Sequence, residues 1–182
     1  LIGNTIMVDN SQFATEKITE TNRLILRPFT EEDIPALFLM NSLPEMLTYI
    51  PMEPFTEESQ AADIYHNVIL ADYAKHGFGR WAVHHKADNK VIGFCGPKYL
   101  PEFNKVELGY RYFPEYWGKG IGYEAAQAAV DTFQPKFNID LFIALILHGN
   151  QGSEGVAKKV GMSLFDQSEY LGHKVHVYQR EF

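Results

Sequence analysis

The feature that most constrains this chain is a glycine-rich segment at residues 113–125, FPEYWGKGIGYEA, between an apparent strand and an alanine-rich helical stretch. Gly118, Gly120 and Gly122 have no Cβ, so the backbone is unusually free there and its N–H groups can approach an anion. A helix that begins directly behind them adds unpaired N–H donors and about half a positive charge. The segment therefore predicts a cradle for a diphosphate, although a tight turn without a ligand could carry the same glycines.

Two common phosphate-binding motifs do not match this segment. A P-loop requires Gly-Lys followed by Ser or Thr, whereas Gly120 is followed by Ile121. In a dinucleotide fingerprint the third glycine would fall at Tyr123, and no strand immediately precedes Asp140, the candidate ribose carboxylate. The strand before the cradle, residues 105–112, alternates apolar and polar side chains, which is typical of an antiparallel strand with one buried face. The cradle is therefore expected in a mixed or antiparallel sheet.

The rest of the pattern predicts an α+β fold. Residues 80–85, 91–99 and 105–113 have period two and predict a meander of strands. The apolar run 141–147 predicts a buried strand parallel to the strand before the cradle, which makes a βαβ unit with the cradle at its first corner. The helix between them is expected to end at Pro135. Further expected elements are a strand at 23–27, helices after Thr30 and Thr56, a short helix capped by Ser153, and a closing hairpin across Gly172.

Composition limits the domain organisation and the class of partner. The length of 182 residues suits a single domain over 1–182, with 1–20 as an N-terminal arm or a short added strand. The net charge of -7 argues against a general nucleic-acid binder and favours a cationic acceptor. Cys95 is the only cysteine and lies in an apolar run, so we expect a core residue and a reducing cytoplasm. No apolar stretch has the length of a membrane span, and the adjacent His84 and His85 do not predict a metal site.

Several segments together resemble the GNAT superfamily of acyl-CoA-dependent N-acetyltransferases. They are Glu-Leu-Gly-Tyr at 107–110, the sequence from Pro114 to Ala125, a strand ending near Asn150 with Ser153 three residues on, and Lys-Lys-Val-Gly-Met at 158–162. The resemblance extends over about residues 21–182, and Trp-Gly-Lys-Gly is its most specific part. Within the superfamily, the chain is most similar to the branch that acetylates the N-terminal alanine or serine of ribosomal proteins.

The resemblance implies a fold and a co-substrate. It implies a mixed, mostly antiparallel sheet of about six or seven strands flanked by helices, with a βαβ core that binds acetyl-CoA. The superfamily usually has Arg or Gln where Trp117 stands, so in this chain backbone amides must hold the phosphates. The resemblance assigns the co-substrate to the following residues: Tyr112, Phe113, Trp117, Gly118, Lys119, Gly120, Ile121, Gly122, Asn150 and Ser153.

The resemblance also implies two catalytic residues for the direct attack of an amine on the thioester. Glu107 is the first candidate for the base, since Arg111 on the same strand face lies about 13 Å away, too far for a direct pair. A solvated strand glutamate is the alternative. Ser153 is the candidate proton donor to the leaving thiolate, with simple helix capping as the alternative. A tyrosine often serves as this acid in the superfamily, but the helix from Ser153 to Val160 contains none.

The acceptor is an open question at this stage. A protein N-terminal amine is favoured, and a small-molecule amine would use the same chemistry. A non-catalytic CoA or nucleotide sensor on the same scaffold is the alternative from another class. The apolar segment 43–54 either packs internally or lines an acceptor groove. An aromatic-rich surface would permit a homodimer, and no nucleic-acid or membrane partner is expected.

Overall fold

The computed structural model describes residues 16–182 and places their strands in one sheet. Most of the predicted arm at 1–20 lies outside the described residues. The strands are β1 (Thr19–Glu20), β2 (Leu24–Pro28), β3 (Trp81–His85), β4 (Lys90–Leu100), β5 (Lys105–Tyr112), β6 (Leu141–Leu147), β7 (Ser163–Tyr170) and β8 (His173–Glu181). Their order across the sheet is β1-β2-β3-β4-β5-β6-β8-β7.

The sheet is mixed and mostly antiparallel, as expected. Only β5 and β6 pair in parallel among the described strands, and the other neighbours are antiparallel. The strand count exceeds the expected six or seven because Thr19–Glu20 adds a two-residue edge strand to β2. The parallel pair with its crossover helix forms the predicted βαβ unit.

Helices flank this sheet. They are α1 (Ile34–Met40), α2 (Pro44–Leu47), α3 (Glu58–Ile64), α4 (Leu70–His76), α5 (Ile121–Phe137) and α6 (Gln151–Lys159). A π-helical segment, Tyr65–Ile69, joins α3 to α4 without a break, so the single helix expected after Thr56 is a continuous rod that ends at Gly77. The segment 43–54, predicted as a loop, contains the short α2, whose Met46 is buried.

Crossover helix α5 lies close against the sheet because its inner face is built from alanines. Ala125, Ala126 and Ala129 are fully buried, and Phe133 packs edge-on against Phe142 of β6. The small side chains on this face allow the close approach. The rigid base that results fixes the glycine-rich segment at the N-terminus of α5.

The prediction that Pro135 ends this helix is wrong. Helix α5 continues through Pro135 to Phe137 and ends at Asn138, which adopts a left-handed conformation with φ 54° and donates to the carbonyl of Gln134. A proline near a helix end removes only one main-chain hydrogen bond. The last turn is retained by packing, since the Phe137 ring lies 5.4 Å from that of Trp81.

Candidate active site

The glycine turn, residues 118–122, presents main-chain N–H groups that have no acceptor. Gly118 and Gly120 have φ of 71° and 75°, in the left-handed region that favours glycine. The first helical hydrogen bond of α5 runs from the Glu124 N–H to the Gly120 carbonyl. Within the described part of the chain, no oxygen accepts from the N–H groups of residues 118–123. The turn therefore combines free donors with the positive end of a 17-residue helix.

Thr21, Arg23 and Glu124 form a hydrogen-bonded cluster, which we call the brace, that is attached to the glycine turn at the Lys119 carbonyl. Arg23, just before β2, donates from Nη1 to the Lys119 carbonyl at 3.0 Å and from Nε to the Glu124 carboxylate at 2.7 Å. Thr21 donates its hydroxyl to the same carboxylate at 2.6 Å. The Lys119 carbonyl and the Gly120 N–H belong to one trans peptide unit and point in opposite directions, so the contact with Arg23 also fixes the direction of the Gly120 N–H. Sequence inspection missed this brace, because Arg23 lies 96 residues from Lys119.

A gap opens in the sheet beside the turn. Among the described residues, β5 and β6 pair at Val106 with Phe142 and at Glu107 with Ile143, and no ladder pairs follow. Both strands nevertheless continue, β5 to Tyr112 and β6 to Leu147. The main chain of residues 108–112 therefore faces an opening that leads to the glycine turn, which we call the strand gap.

Two of the residues expected to bind the co-substrate, Tyr112 and Phe113, already have hydrogen-bond partners. The Phe113 N–H donates to the Ile92 carbonyl at 2.9 Å, which continues the ladder with β4. The Tyr112 carbonyl accepts from Trp117 Nε1 at 2.7 Å. A carbonyl oxygen has a second lone pair, so Tyr112 can still accept from a ligand, whereas the N–H of Phe113 has no further proton to offer. The Trp117 indole thus supports the end of β5, and half of its surface remains exposed.

Asn150, rather than Ser153, caps α6. The Asn150 side chain accepts from the Ser153 N–H at 3.2 Å, and Ser153 is the third residue of the helix. Asn is among the best N-cap residues, so the expectation of a serine cap was misplaced by one helical turn. The Ser153 hydroxyl has no hydrogen-bond partner in the described structure, so it is not committed to capping.

Tyr110 reaches from β5 to α6 on the helical side of the strand gap. Its hydroxyl donates to the Ser153 carbonyl at 2.6 Å, and burial raises its pKa. A second tyrosine, Tyr112, lies under the glycine turn, where one edge of its ring would be 3.4 Å from a Cβ at Gly122. A strand tyrosine therefore contacts the first turn of α6, and its hydroxyl proton is already donated to the Ser153 carbonyl, which sequence inspection did not anticipate.

Glu107 lies on the opposite face of β5, where Arg80 holds it. The Arg80 guanidinium forms an ion pair with the Glu107 carboxylate and also donates to the carbonyls of Glu107 and Gly96, at 3.1 and 2.6 Å. Arg80 lies so close to Gly109 that a Cβ there would collide with it. We expected Glu107 to have no direct cationic partner because only Arg111 on its own strand was considered. The partner comes from the start of β3 instead.

The Cys95 thiol is part of the core. Cys95 is fully buried, and burial raises the pKa of its thiol to about 12. It therefore remains protonated and inert at neutral pH, which confirms its expected place in the core. Over residues 16–182 no three His, Cys, Asp or Glu side chains are grouped as a metal site would require. No helix in that range is both long and apolar enough to cross a bilayer.

Comparison with known proteins decides the family. A family model described as "Acetyltransferase (GNAT) domain" matches residues 23–163. The chain belongs to the GNAT acetyltransferase family. The match contains the glycine turn, the strand gap and α6, so these three features lie within the GNAT domain.

GNAT relatives resemble this chain over most of their length. The uncharacterized N-acetyltransferase p20 of Bacillus licheniformis is 30% identical over 164 residues, which cover 87% of this chain and 91% of p20. A solved acetyltransferase from Agrobacterium tumefaciens superposes with a TM-score of 0.78 at 23% identity, over 93% of this chain and 96% of that one. These comparisons and the family match identify the chain as a GNAT acetyltransferase.

Two further solved structures are of acetyltransferases that are named for different acceptors. The ribosomal L7/L12 alpha-N-protein acetyltransferase RimL has a TM-score of 0.77 at 21% identity, over 92% of this chain and 94% of its own. The spermidine N-acetyltransferase from Vibrio cholerae, solved with CoA and spermine, has a TM-score of 0.75 at 17% identity, over 88% and 96%. A likeness at this level of identity shows the fold, which both enzymes share with this chain.

Proposed function

We propose that the chain transfers an acetyl group from acetyl-CoA to a primary amine by direct attack, with a protein N-terminal α-amine as the favoured acceptor. The observation that carries the proposal is the set of free N–H groups at residues 118–123, at the end of a strand gap. A row of unpaired donors on a helix N-terminus fits a diphosphate, and an unpaired strand edge fits an extended amide-containing arm. We extend the proposal to one acetyltransferase domain over residues 1–182.

The residues assigned to the co-substrate fall into three parts of this surface. The glycine turn with Trp117 and Lys119 would hold the diphosphate by its backbone. The end of β5 at Tyr112 and Phe113 would border the arm, with the Tyr112 carbonyl as acceptor. Asn150 would act indirectly, because its cap orients the first turn of α6, where Ser153 lies. When bound, acetyl-CoA supplies an activated acetyl thioester.

Acetyl transfer requires one proton to be removed and one to be delivered. The amine nitrogen forms a bond to the thioester carbonyl carbon, the carbon–sulfur bond breaks, and the sulfur leaves as a thiolate that becomes the thiol. Glu107 would accept the proton that the ammonium group loses, directly or through water. Its ion pair with Arg80 orients the carboxylate, so Arg80 acts here as a positioning residue.

Ser153 would deliver the proton to the thiolate. Its hydroxyl is not used by the helix cap and lies one turn into α6, beside the strand gap. Tyr110, which donates to the Ser153 carbonyl, would fix the height of this turn above β5. A small-molecule acceptor, such as a polyamine, would require no change in these roles. Acceptor identity would therefore depend on other residues that contact the acceptor.

The proposal is tested by acetyl-CoA turnover with a panel of N-terminal peptides and small amines, scored by release of free thiol. The buried Cys95 does not interfere with thiol detection in the folded protein. Peptide turnover would support the protein acceptor, whereas turnover of small amines alone would favour the second candidate. Binding of acetyl-CoA without release of thiol with any amine would instead indicate a sensor.

The role of Glu107 has its own test. The Glu107→Gln variant should lower kcat by roughly 100-fold or more, which is the usual contribution of a general base. Asp33→Asn is the matched control, because Asp33 forms a similar part-buried ion pair with Arg27 of β2, which is separated from β5 by β3 and β4. Equal activity of the two variants would remove Glu107 from the mechanism.

A further inference from the structure

Arg111 is a half-buried cation whose hydrogen-bonding capacity is only partly used. It lies on β5, on the same face as Glu107 and within the stretch that has no β6 partner. Its Nη1 donates to the Met40 carbonyl at 2.9 Å and to Asn41 Oδ1 at 3.0 Å, at the end of α1. Its Nε is buried and has no acceptor within the described residues. The guanidinium therefore has unmatched donors beside the proposed acceptor site.

The charge around Arg111 is unbalanced. Arg23, Arg27 and Arg80 each pair with a carboxylate, but no described carboxylate lies within ion-pair distance of Arg111. A second cation, Arg80, lies on the same aromatic ring, since both guanidinium carbons lie over Phe94, at 5.3 Å for Arg111 and 5.7 Å for Arg80 from the ring centre. Burial lowers the pKa of Arg111 to about 10, and the positive charge of Arg80 contributes to the same shift. Glu107 is already neutralised by Arg80, so one positive charge remains.

Arg180 shows that a missing carboxylate alone does not identify a site. It too lacks an ion-pair partner among the described residues, donates to a carbonyl, that of Val160, and lies 4.6 Å from the centre of the Phe182 ring. However, Phe182 is exposed and the Arg180 Nε is not an orphaned buried donor. Water can therefore solvate Arg180. The combination of a buried donor without an acceptor and a like-charged neighbour distinguishes Arg111 from Arg180.

Burial of an unpaired guanidinium is costly, because desolvation of the charge is not offset by an opposite charge. Perturbed buried charges of this kind concentrate where a ligand completes them. We propose, on the basis of the function proposed above, that Arg111 binds a carboxylate of the acceptor, so that the enzyme acts on amines that also carry a carboxylate. A single unbalanced charge matches a monoanion, and the planar fork of arginine matches carboxylate geometry. The negative net charge of the whole chain would favour a plain cation, but the local charge at Arg111 is of the opposite sign.

The experiment compares pairs of acceptors that differ only in one carboxylate. One pair is an amino acid and its amide, and the other is a peptide with Glu or Gln next to its N-terminal residue. The kcat/KM of each is measured by thiol release. The wild-type enzyme should prefer the carboxylate member of at least one pair by about 10-fold or more, as expected for a charged hydrogen-bonded contact. The two pairs distinguish a free amino acid from a peptide as the source of the carboxylate.

Substitutions at Arg111 separate recognition from a structural role. Arg111→Met should abolish the preference by raising KM for the carboxylate member alone, and Arg111→Lys should retain part of it. Arg180→Met, the matched control, should keep the full preference. If Arg111 only supports the end of α1, Arg111→Met will reduce both members equally, which overturns the inference. Should Arg111→Met fail to fold, the wild-type preference and Arg111→Lys still decide.

The outcome also separates this inference from the proposed function. A wild-type enzyme that acetylates neutral amines as well as their carboxylate counterparts, or better, overturns the role of Arg111 and leaves the acetyltransferase activity intact. Binding of acetyl-CoA without turnover of any acceptor overturns both. Calorimetric titration of the wild-type protein with acetyl-CoA, run in parallel, shows which of these has occurred.

Discussion

The guanidinium of Arg23 lies 3.0 Å from the main-chain oxygen of Lys119, in the middle of the glycine turn. The same side chain forms an ion pair with Glu124 in the first turn of α5 at 2.6 Å. The start of β2 is thereby tied to both sides of the turn. A ligand that uses the N–H groups of this turn would find them already oriented, which reduces the entropic cost of binding.

Removal of the brace should weaken co-substrate binding more than it weakens the fold. Arg23→Gln leaves the Lys119 carbonyl free to rotate, and we expect the affinity for acetyl-CoA to fall by about 10-fold, the usual effect of one lost charge-assisted hydrogen bond. Calorimetry measures the change. Arg27→Gln breaks an ion pair of similar geometry with Asp33, remote from the turn, and should leave the affinity unchanged. Equal effects of both variants would contradict the role of the brace.

The brace also predicts a pH dependence of stability. Burial raises the pKa of the Glu124 carboxyl, but the hydrogen bonds from Thr21 and Arg23 lower it by more, so that it lies below its usual 4.5. A group whose pKa is lower in the folded state stabilises the fold above its unfolded pKa, and this contribution is lost as the pH falls through the folded value. The unfolding free energy of the wild-type protein should therefore exceed that of Glu124→Gln above the usual carboxyl pKa of 4.5, and the difference should shrink as the pH falls below that value. Denaturant titrations at a series of pH values measure both, and a difference independent of pH would show that Glu124 is unpaired in solution.

Much of the fold could be predicted because it depends on local patterns. Three local patterns each determine one element and its neighbour. They are the alternation of residues 105–112, the apolar run 141–147 and the glycines after Trp117. A short added strand within residues 1–20 was one of two expectations, but its position at Thr19–Glu20 could not be predicted, since a two-residue strand has no periodicity. The extension of α5 past Pro135 depends on tertiary packing of Phe137, which the sequence does not show.

The candidate site was less predictable because its contacts join residues that are far apart in the sequence. The glycine turn is contiguous and was found, but its brace and the partner of Glu107 come from distant strands. Arg80 carries no local signal. Gly109, inside an otherwise regular strand, was the one available indication that another side chain approaches β5 there, because a strand glycine often marks the close approach of another group.

Substitution of Gly120 should prevent binding without unfolding the protein. A side chain at this left-handed position strains the turn by about 1–2 kcal/mol, which displaces its N–H groups, and its Cβ would lie 3.7 Å from Nη2 of Arg23. Gly172→Ala is the matched control, since Gly172 has nearly the same φ, 76°, in the hairpin between β7 and β8, and a Cβ there meets nothing. Thermal melts should show similar losses of stability for Gly120→Ala and Gly172→Ala, while calorimetry shows lost acetyl-CoA affinity for the first alone. Unaltered affinity of Gly120→Ala would remove the turn from the binding site.

The cap and the proposed acid of α6 can be separated because they are different residues. Asn150→Ala should destabilise the protein by about 1 kcal/mol, the typical cost of a lost N-cap. Ser153→Ala should leave stability nearly unchanged, since its hydroxyl is not the cap, and should lower kcat with little change in acetyl-CoA affinity. Denaturant melts and steady-state kinetics measure the two effects. A stability loss at Ser153→Ala with normal kcat would reverse the assignment.

Exchange of individual main-chain amides tests the central claim most directly. Hydrogen exchange of residues 118–123 is followed residue by residue with and without CoA, and with the amides of Leu171 and Gly172 in the distant hairpin turn as an internal reference. If the free N–H groups of the glycine turn hold the diphosphate, their exchange slows strongly on addition of CoA while the reference amides are unaffected. Binding of CoA with unchanged exchange at residues 118–123 would contradict the account.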